Sequence, residues 1–333
     1  MKASEPVLVS IVSFNHEKWV VACLDSVFSQ TTPVRVKVFD NGSLDRSAEL
    51  ASRFDLELAR SPENLGFSRA HNLNIEGEDV AAVLFLNPDV VLDANFLENC
   101  LRALHEVPRC GMVSGKLSRL GPDGQTVLSQ GLPVLDSAGI YFTPWQRHFD
   151  RGSQEVDRGQ YERRQLVFGC TGAALLCSGA MIEDVREGRE LFDEDFFAYR
   201  EDADLAWRAQ LRGWRAVYEP GARAGHRRSV FPSNRRQTPA LLNYHSVKNR
   251  FLMRLKNMDE AVRRRCFPYM WLRDAGIFGY ALAFERSSLR AYGEARRLRP
   301  KFLEKRRVIQ SRRTAAPQEI AKWFAFRPTA FDV

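Results

Sequence analysis

The sequence lacks the features that mark disulfide-rich, zinc-binding or membrane-spanning proteins. Its six cysteines include no C-x-x-C pair, so we predict neither a disulfide framework nor a zinc site, and we expect a reducing, cytoplasmic location. It has no uninterrupted apolar run of about 18 residues, the length that suggests a membrane-spanning helix. Residues 1–6 are mostly polar, so we expect no signal peptide. With 333 residues, 44% of them hydrophobic, the chain can form one large domain or two smaller ones.

Charge is unevenly distributed along the chain. The net charge is +8, but residues 235–333 carry 23 Lys and Arg against 8 Asp and Glu, and residues 1–234 carry the remaining 26 against 33. These balances of +15 and −7 predict two regions with different roles, residues 1–235 and 236–333. A basic region can bind nucleic acid, an anionic membrane or an anionic substrate, and a solvated helical face is the alternative.

The first region alternates strand and helix patterns. Strands are predicted at residues 7–13, 34–39, 56–58, 80–86, 111–118, 165–176 and 215–218, and helices at 17–29, 47–54, 67–75, 96–106 and 201–211. This alternation indicates an α/β fold with a mostly parallel sheet flanked by helices. Residues 120–160 are predicted to pass over the ligand face of the sheet. From residue 238 the chain is predicted to be helical, with breaks near Pro300 and Pro317.

Polar residues follow three predicted strands, at the sheet edge where ligands bind in open parallel sheets. They are Ser13 with Asn15, Asp40 with Asn41, and Asn87 with Asp89. Because these strand ends share one edge, we predict that they contribute to one site.

Asp89 is the candidate metal ligand at this edge. It follows a strongly apolar strand in the sequence Asn87-Pro88-Asp89. A hard divalent cation accepts one or two protein carboxylates together with phosphate oxygens, and Asn87 can add another oxygen. A simple turn is the alternative.

Two further segments are candidates for binding a nucleotide. Asp40 can accept a hydrogen bond from the ring N–H of a pyrimidine. Gly66, which follows Asn64, allows close backbone approach at a helix N-terminus, where a phosphate is favoured, and Arg69 adds positive charge. An ordinary turn or loop is the alternative for both segments.

Candidate residues for acid–base catalysis and for a second metal ligand lie later in the chain. Glu201 and Asp202 begin a predicted helix, and a carboxylate placed there can remove a proton from an attacking hydroxyl. Acidic residues at a helix start can instead serve only as caps. His226 can bind a metal through an imidazole nitrogen, with a structural histidine as the alternative.

The order and spacing of these motifs resemble family-2 glycosyltransferases with the GT-A fold, and most closely their bacterial rhamnosyltransferase branch. The resemblance covers about residues 7–249. It is carried by Val9-Ser-Ile-Val-Ser-Phe-Asn15, Val38-Phe-Asp-Asn-Gly-Ser-Leu-Asp45, Asn64-Leu-Gly-Phe67, Phe85-Leu-Asn-Pro-Asp89, Gly169-Cys-Thr-Gly-Ala173, Phe192-Asp-Glu-Asp-Phe-Phe-Ala-Tyr-Arg-Glu-Asp202 and Gly225-His226.

The resemblance implies a role for each motif. Asp89 is implied to bind Mg²⁺ or Mn²⁺, with Asn87 at the first acidic position of an Asp-x-Asp-type motif and His226 able to join the metal. Asp202 is implied to be the catalytic base, with Glu201 beside it. The resemblance also assigns Asp40 to the nucleotide base, and Gly172 and Ala173 to the sugar and acceptor pocket. The other donor-side candidates are Ser13, Asn15, Asn41, Asn64, Gly66 and Arg69.

We therefore predict an inverting glycosyltransferase that takes a sugar from a nucleotide-diphosphate donor, with dTDP-rhamnose the donor suggested by resemblance. The acceptor would be a saccharide or a polyprenyl-linked saccharide in cell-surface polysaccharide synthesis. A non-catalytic sugar-nucleotide-binding scaffold and a sugar-nucleotide nucleotidyltransferase are the alternatives, but residues 13–16 lack the Gly-rich basic loop expected of the latter. No nucleic-acid partner is predicted, because strand-end carboxylates repel phosphate unless a metal intervenes.

The basic region contains apolar, aromatic segments at residues 266–272 and 277–284. Basic clusters at residues 263–265, 296–299 and 305–307 flank them. Such amphipathic helices suit a membrane interface, which predicts peripheral contact with the inner face of the cytoplasmic membrane. The alternative is packing on the first region or on a second copy of the chain in a homodimer.

Overall fold

The structure is a computed structural model that describes residues 6–228 and 240–333. The predicted boundary between residues 235 and 236 lies outside these ranges. The strands are β1 (Val7–Ser13), β2 (Val34–Asp40), β3 (Glu57–Arg60), β4 (Ala82–Leu86), β5 (Val90–Leu92), β6 (Cys110–Arg119), β7 (Leu128–Ser129), β8 (Leu132–Pro133), β9 (Leu135–Ser137), β10 (Ile140–Phe142), β11 (His148–Asp150), β12 (Gln165–Val167), β13 (Ala174–Ser178), β14 (Arg215–His226) and β15 (Phe331–Asp332). The helices are α1 (Val20–Phe28), α2 (Ser47–Ala51), α3 (Phe67–Asn74), α4 (Phe96–Glu106), α5 (Gly179–Val185), α6 (Glu201–Leu211), α7 (Ala240–Asn257), α8 (Glu260–Cys266), α9 (Tyr269–Phe284), α10 (Leu289–Ser311) and α11 (Pro317–Ala321), with 3-10 turns at Glu194–Phe196 and Arg286–Ser288.

A central sheet with strand order β15-β12-β14-β6-β13-β4-β1-β2-β3 organises the molecule. The strands β3, β2, β1 and β4 are parallel, and so are β6 and β14. Strand β13 is antiparallel to its neighbours β4 and β6. Between β3 and β14 only β13 therefore runs in the opposite direction, which confirms the predicted mostly parallel sheet flanked by helices.

Two apolar cores cover the two faces of this sheet. Alternate residues of a strand point to opposite faces, so Leu8 enters one core and Val9 the other. Helices α1 and α4 close the core around Val9, with Phe96 as its largest side chain. Helix α6 and the C-terminal helices close the other core, which contains Trp207 and Phe302. The C-terminal region is thus part of the main hydrophobic core.

Buried ion pairs also connect the C-terminal region with acidic residues before and within α6. Lys256 of α7 lies 2.5 Å from Asp193 and 2.9 Å from Asp204, and all three side chains are almost fully buried. Lys305 of α10 contacts the other oxygen of Asp193 at 2.7 Å. Within residues 6–228 and 240–333, no helix has both the length and the apolar composition needed to cross a bilayer.

Three predictions about individual elements were wrong. The single strand expected at residues 165–176 is two strands, because residues 165–167 pair with β14 whereas residues 174–178 pair with β4 and β6, at another place in the sheet. The short strand expected at residues 215–218 continues to His226 through a register shift between Glu219 and Arg223. No break occurs at Pro300, which lies inside α10, where the buried Phe302 packs in the core.

Candidate active site

Asp89 and His226 come together because β5 and β14 are neighbours in the sheet. Asp89 lies in the connection between β4 and β5, and β14 places His226 opposite Val90. The backbone N–H of Arg227 donates to the Asp89 carbonyl at 3.0 Å. His226 Nε2 lies 3.4 Å from Asp89 Oδ1. The two predicted metal ligands therefore meet at the carboxyl edge of the sheet.

A third residue, Asp136 on β9, orients the imidazole of His226. Asp136 Oδ2 lies 2.8 Å from His226 Nδ1, and Asp136 Oδ1 lies 3.1 Å from Arg228 Nε. Burial alone would lower the pKa of His226, but the hydrogen bonds that it donates to Asp136 and Asp89 outweigh burial and raise the pKa to about 9. A carboxylate behind a histidine is the usual arrangement for fixing a metal-binding imidazole.

The residues at this edge fit a divalent cation that is also held by a substrate. Asp89 supplies a carboxylate and His226 a ring nitrogen that face one another, so a cation between them would replace their direct contact. No group of three or more His, Cys, Asp or Glu side chains in the described ranges is arranged as a complete ligand set. Mg²⁺ and Mn²⁺ can bind to as few as two protein ligands when phosphate oxygens of a substrate supply the others.

Asp40 at the end of β2 is a buried acceptor with spare capacity. It is 1% exposed, and Arg60 Nε lies 3.5 Å from its Oδ2. Its Oδ1 has no hydrogen-bond partner among the described residues, and neither has the buried hydroxyl of Ser13 on the adjacent strand. A buried unpaired acceptor is costly, so both atoms suit a ligand that brings hydrogen-bond donors.

Other donor-side candidates shape the loops around Asp40. Asn15 accepts a hydrogen bond from the Leu44 N–H at 2.8 Å. Asn41 donates to the side chain of Asn64 at 3.0 Å, and Asn64 accepts from the Gly66 N–H at 2.9 Å. These residues hold two loops together at the strand ends.

Gly66 and Arg69 have contacts that differ from the expected phosphate approach. Gly66 has a φ of +85°, and a Cβ there would lie 2.5 Å from the Phe197 carbonyl oxygen. Glycine is therefore needed for packing against the segment before α6. Arg69 Nε lies 3.9 Å from Glu194, and its side chain is about half exposed.

Asp202 begins α6 beside the strand-connecting segment that contains Gly172. Asp202 Oδ2 accepts from the Gly172 N–H at 3.1 Å, and Oδ1 accepts from the Ala203 N–H at 2.7 Å. The next residue, Ala173, accepts through its carbonyl from the Asn87 N–H at 2.9 Å. Gly172 and Ala173 thus connect the candidate base with the segment that carries Asp89.

Glu201 and Asp202 are in different electrostatic surroundings. Burial, followed by the charge of Asp202, raises the pKa of Glu201 to about 8. Burial also raises the pKa of Asp202, while its two backbone N–H donors oppose that rise. The Glu201 Oε2 is buried without a hydrogen-bond partner in the described part of the chain. A pKa of about 8 keeps Glu201 mostly protonated near neutral pH, and the two backbone N–H donors stabilise the anion of Asp202.

The backbone before Asp202 is strained and is held by α7. Phe197, Tyr199 and Arg200 have φ values of 65°, 70° and 75°, a region that side-chain-bearing residues rarely adopt. The Asn249 Nδ2 lies 2.9, 2.9 and 2.8 Å from the carbonyl oxygens of Phe196, Ala198 and Tyr199, respectively. One side chain of the C-terminal region therefore fixes the approach to the candidate base.

Sequence reasoning missed several residues of this site. Asp136 belongs to the segment predicted to pass over the ligand face, and Asn249 to the helical tail. Arg227 follows His226; its backbone N–H donates to the Asp89 carbonyl, and its guanidinium stacks on Trp19 at 4.2 Å. No local motif indicates Asp136, because its partner is 90 positions away.

Comparison with known proteins agrees with this geometry. The family model described as glycosyl transferase family 2 matches residues 8–172, and the comparison with curated proteins gave no match. Residues 1–349 of S. aureus TarS align over 92% of this chain and 90% of that chain, with 14% identity and a TM-score of 0.54. The mannosyltransferase PcManGT from Pyrobaculum calidifontis, in complex with GDP-Man and Mn²⁺, aligns over 96% and 87%, with 16% identity and a TM-score of 0.52. GalNAc-T7 with UDP, GalNAc and Mn²⁺ aligns over 85% and 57%, with 11% identity and a TM-score of 0.57.

Proposed function

We propose that this chain, whose residues 8–172 match glycosyl transferase family 2, transfers a sugar, with inversion, from a nucleotide diphosphate to an acceptor hydroxyl. The observation that carries the proposal is the link from Asn87 through Ala173 and Gly172 to Asp202. This link supports one shared site for the Asp89–His226 pair and the candidate base Asp202 at one edge of the sheet. A leaving diphosphate and an attacking hydroxyl need these two groups on either side of the sugar.

Each residue has a chemical role in this reaction. Asp202 accepts the proton of the acceptor hydroxyl while its oxygen forms a bond to the anomeric carbon. The bond from that carbon to the diphosphate breaks on the opposite side, so the configuration inverts. A divalent cation, Mg²⁺ or Mn²⁺, bound by Asp89 and His226 would neutralise the departing diphosphate. Asn87 lies beside this position, and the nearby Arg227 adds positive charge.

The donor is proposed to be a pyrimidine nucleotide sugar. The unpaired Oδ1 of Asp40 supports this, because it can accept the ring N–H of thymine or uracil. The S. aureus TarS structure was also obtained with UDP-GlcNAc, and the Pyrobaculum protein with GDP-Man. Rhamnose from dTDP-rhamnose is our leading proposal for the donor, on the resemblance to the rhamnosyltransferase branch.

The acceptor is proposed to be a saccharide on a polyprenyl carrier, as in cell-surface polysaccharide synthesis, reached from the cytoplasmic face of the membrane. Helix α9 supports this because its outward face is apolar, with Trp271 60% and Phe284 78% exposed. Its two charged residues, Arg273 and Asp274, turn inward to other parts of the chain. Contact with a second copy of the chain is the competing explanation for this face.

Nucleoside diphosphate release from a panel of donors tests the proposed reaction. Asp202→Asn should abolish release that depends on acceptor, since amide nitrogen cannot take the proton, while binding of the nucleoside diphosphate stays unchanged. Asp25→Asn is the matched control, because Asp25 is an exposed carboxylate on α1. Full turnover in Asp202→Asn would overturn the assignment of the base. No turnover of any donor by the native chain would favour a sugar-nucleotide-binding scaffold.

A further inference from the structure

Four arginines gather next to the segment that carries the base, and we call them the arginine cluster. They are Arg200 before α6, Arg250 and Arg254 one turn apart on α7, and Arg273 on α9. Nothing in the transfer reaction described above uses them. They come from three separate elements, so the fold itself brings their charges together.

Within residues 6–228 and 240–333, one carboxylate contacts the cluster directly. Arg254 donates to Asp274 at 2.6 Å, and an Arg250 nitrogen lies 3.5 Å from the other oxygen of the same carboxylate. The remaining contacts of Arg200 and Arg273 are with neutral groups. Arg200 reaches the Ser246 carbonyl at 3.0 Å and the His148 ring at 3.1 Å, and Arg273 reaches the Trp145 and Gln146 carbonyls at 3.0 and 2.8 Å.

Nearby groups do not balance this positive charge. Arg147 is a fifth cation within electrostatic range of Arg200 and Arg273. Asp202 is an anion in range of Arg200, but it is the candidate base. Tyr292, which approaches Arg250, offers a phenol and not a carboxylate. Among the described residues, Asp274 is therefore the one carboxylate in direct contact with these four guanidinium groups, and it contacts only Arg250 and Arg254.

Buried N–H groups of the cluster also lack acceptors. Arg250 is 1% exposed and Arg254 6% exposed. Nε of Arg250 and Nη1 of Arg254 have no hydrogen-bond partner among the described residues. Burial, followed by the charge of neighbouring arginines, lowers the pKa of Arg200 to about 9 and that of Arg273 to about 8. Excess buried charge with unpaired donors is unfavourable unless an anion joins it.

We propose that the arginine cluster binds a phosphate group of the acceptor, and this inference rests on the proposed glycosyl transfer. The forked guanidinium donors match phosphate oxygens, and several together compensate a double negative charge. Arg200 is two residues from Asp202, so a phosphate held here lies next to the base. Arg273 joins the cluster from the inner side of α9, whose outer side is apolar. A phosphate that links a sugar to a lipid likewise combines an anionic group, which the arginines would bind, with an apolar chain, which the outer side of α9 would contact.

Phosphate binding can be measured on the full chain without divalent metal, so that the Asp89 site does not contribute. We would titrate glucose 1-phosphate by calorimetry, and measure flotation with phosphatidylcholine vesicles that contain a polyprenyl phosphate. The native protein should bind phosphate, and Arg254→Gln should weaken binding about tenfold, the loss expected for one charge-assisted hydrogen bond. Arg273→Gln removes a guanidinium from a different helix and should give the same result if Arg254→Gln does not fold.

The matched control is Arg264→Gln, because Arg264 is exposed on α8 and pairs only with Glu260 in the described contacts. It should leave phosphate binding unchanged. Equal binding of glucose 1-phosphate and the vesicles would indicate recognition of the phosphate alone, and preference for the vesicles would indicate a lipid-linked phosphate. Absence of phosphate binding, or equal binding by the native chain and both cluster variants, overturns the inference.

Failure of phosphate binding at the arginine cluster can be distinguished from failure of the proposed glycosyl transfer. Arginine-dependent phosphate binding without turnover of any donor would retain the site and reject the transferase proposal. Efficient transfer to a neutral saccharide, with the same kcat/KM in the native chain and Arg254→Gln, would retain the transferase and reject the phosphate site. Binding of a nucleoside diphosphate with Mn²⁺ should be the same in all of these variants.

Discussion

At the residue scale, the adjacent carboxyl groups of Glu201 and Asp202 differ in their hydrogen bonds. Asp202 receives two backbone N–H donors, which stabilise its anion. Glu201 has an unpaired buried oxygen and a pKa raised to about 8. The folded pKa of Glu201 therefore lies above that of an unfolded glutamate, near 4.5. The stability that protonated Glu201 contributes to the fold is therefore complete below pH 4.5 and is lost as the pH rises through about 8.

Glu201→Gln should therefore make the protein less sensitive to alkaline pH. Between pH 5.5 and 8.5 the Tm of the native chain should fall by roughly 2 °C or more beyond that of the variant, because the amide never ionises. Calorimetric melting at several pH values measures this. Parallel Tm curves for the two proteins would show that Glu201 is not a buried, proton-holding group.

Asp136 acts on the metal ligand set from behind His226. Asp136→Asn should weaken Mn²⁺ binding about tenfold or more, because the imidazole loses the carboxylate that orients it. Paramagnetic resonance of Mn²⁺ in the presence of a nucleoside diphosphate gives the affinity directly. The control Asp123→Asn changes an exposed turn carboxylate and should have no effect. Unchanged Mn²⁺ affinity in Asp136→Asn would contradict the role of this contact.

At the element scale, the strained turn before α6 depends on a helix far away in sequence. Asn249→Ala removes the donor that serves three carbonyls, so the turn can relax and Asp202 loses its position. We expect kcat to fall roughly ten- to a hundredfold. Nucleoside diphosphate binding should remain as in the native chain, because Asp40 and Asp89 are untouched.

The comparison of Asn249→Ala with Asn243→Ala, on the same helix, separates this effect from loss of helix stability. Asn249→Asp should resemble Asn249→Ala, since a carboxylate accepts hydrogen bonds but does not donate them. Equal losses of kcat in Asn243→Ala and Asn249→Ala would show that the strained turn does not depend on this side chain.

The elements that could be predicted from sequence are those whose pattern is local. Strand β1 and helix α4 follow directly from an apolar run and from amphipathic spacing, and α6 was predicted with its observed bounds. Strand β14 was predicted too short, because Pro220 and Gly221 suggest a turn, whereas pairing with β6 and β5 continues the strand. This extension brings His226 to Asp89, so the site required non-local pairing that the sequence pattern does not contain.

The same distinction between local sequence patterns and non-local contacts applies to individual site residues. Asp89, Asp202 and His226 were indicated by the resemblance, and the fold brings Asp89 and His226 into contact. Asp136 and Asn249 act through contacts with residues 90 and about 50 positions away, respectively, and the resemblance assigned neither of them a role, although it extends to residue 249. Their roles became visible only when β9 and α7 were placed beside the sheet edge.

At the scale of the whole molecule, the opposite charges of the two regions are partly explained by internal pairing. Lys256 and Lys305 neutralise Asp193, and Lys256 also contacts Asp204. Because both acids are almost fully buried, removing the C-terminal region would leave Asp193 without its two lysine counterions, whereas Asp204 would keep Arg208 of α6. The basic tail is therefore partly structural, and membrane binding must be tested by point substitutions rather than by truncation.

Substitutions on the outer face of α9 test the proposed membrane contact. The double variant Trp271→Ser with Phe284→Ser should reduce flotation with anionic vesicles by roughly tenfold, since two exposed aromatic side chains no longer enter the bilayer surface. Leu128→Ser, which changes an exposed apolar residue on β7, is the control. Undiminished flotation of the double variant contradicts the membrane proposal. A native dimer that the double variant converts to a monomer would assign α9 to self-association.

The short link through Gly172 and Ala173 has a consequence for how such enzymes can be recombined. The family match ends at residue 172, so Asp40 and Asp89 lie inside it, and Asp202, His226 and Asn249 lie beyond it. A chimera joined at this point would inherit its donor preference from one parent and its acceptor preference from the other. The junction itself should tolerate alanine as well as glycine, because a Cβ at residue 172 would lie 3.4 Å from the Asp202 Cβ, an ordinary van der Waals contact.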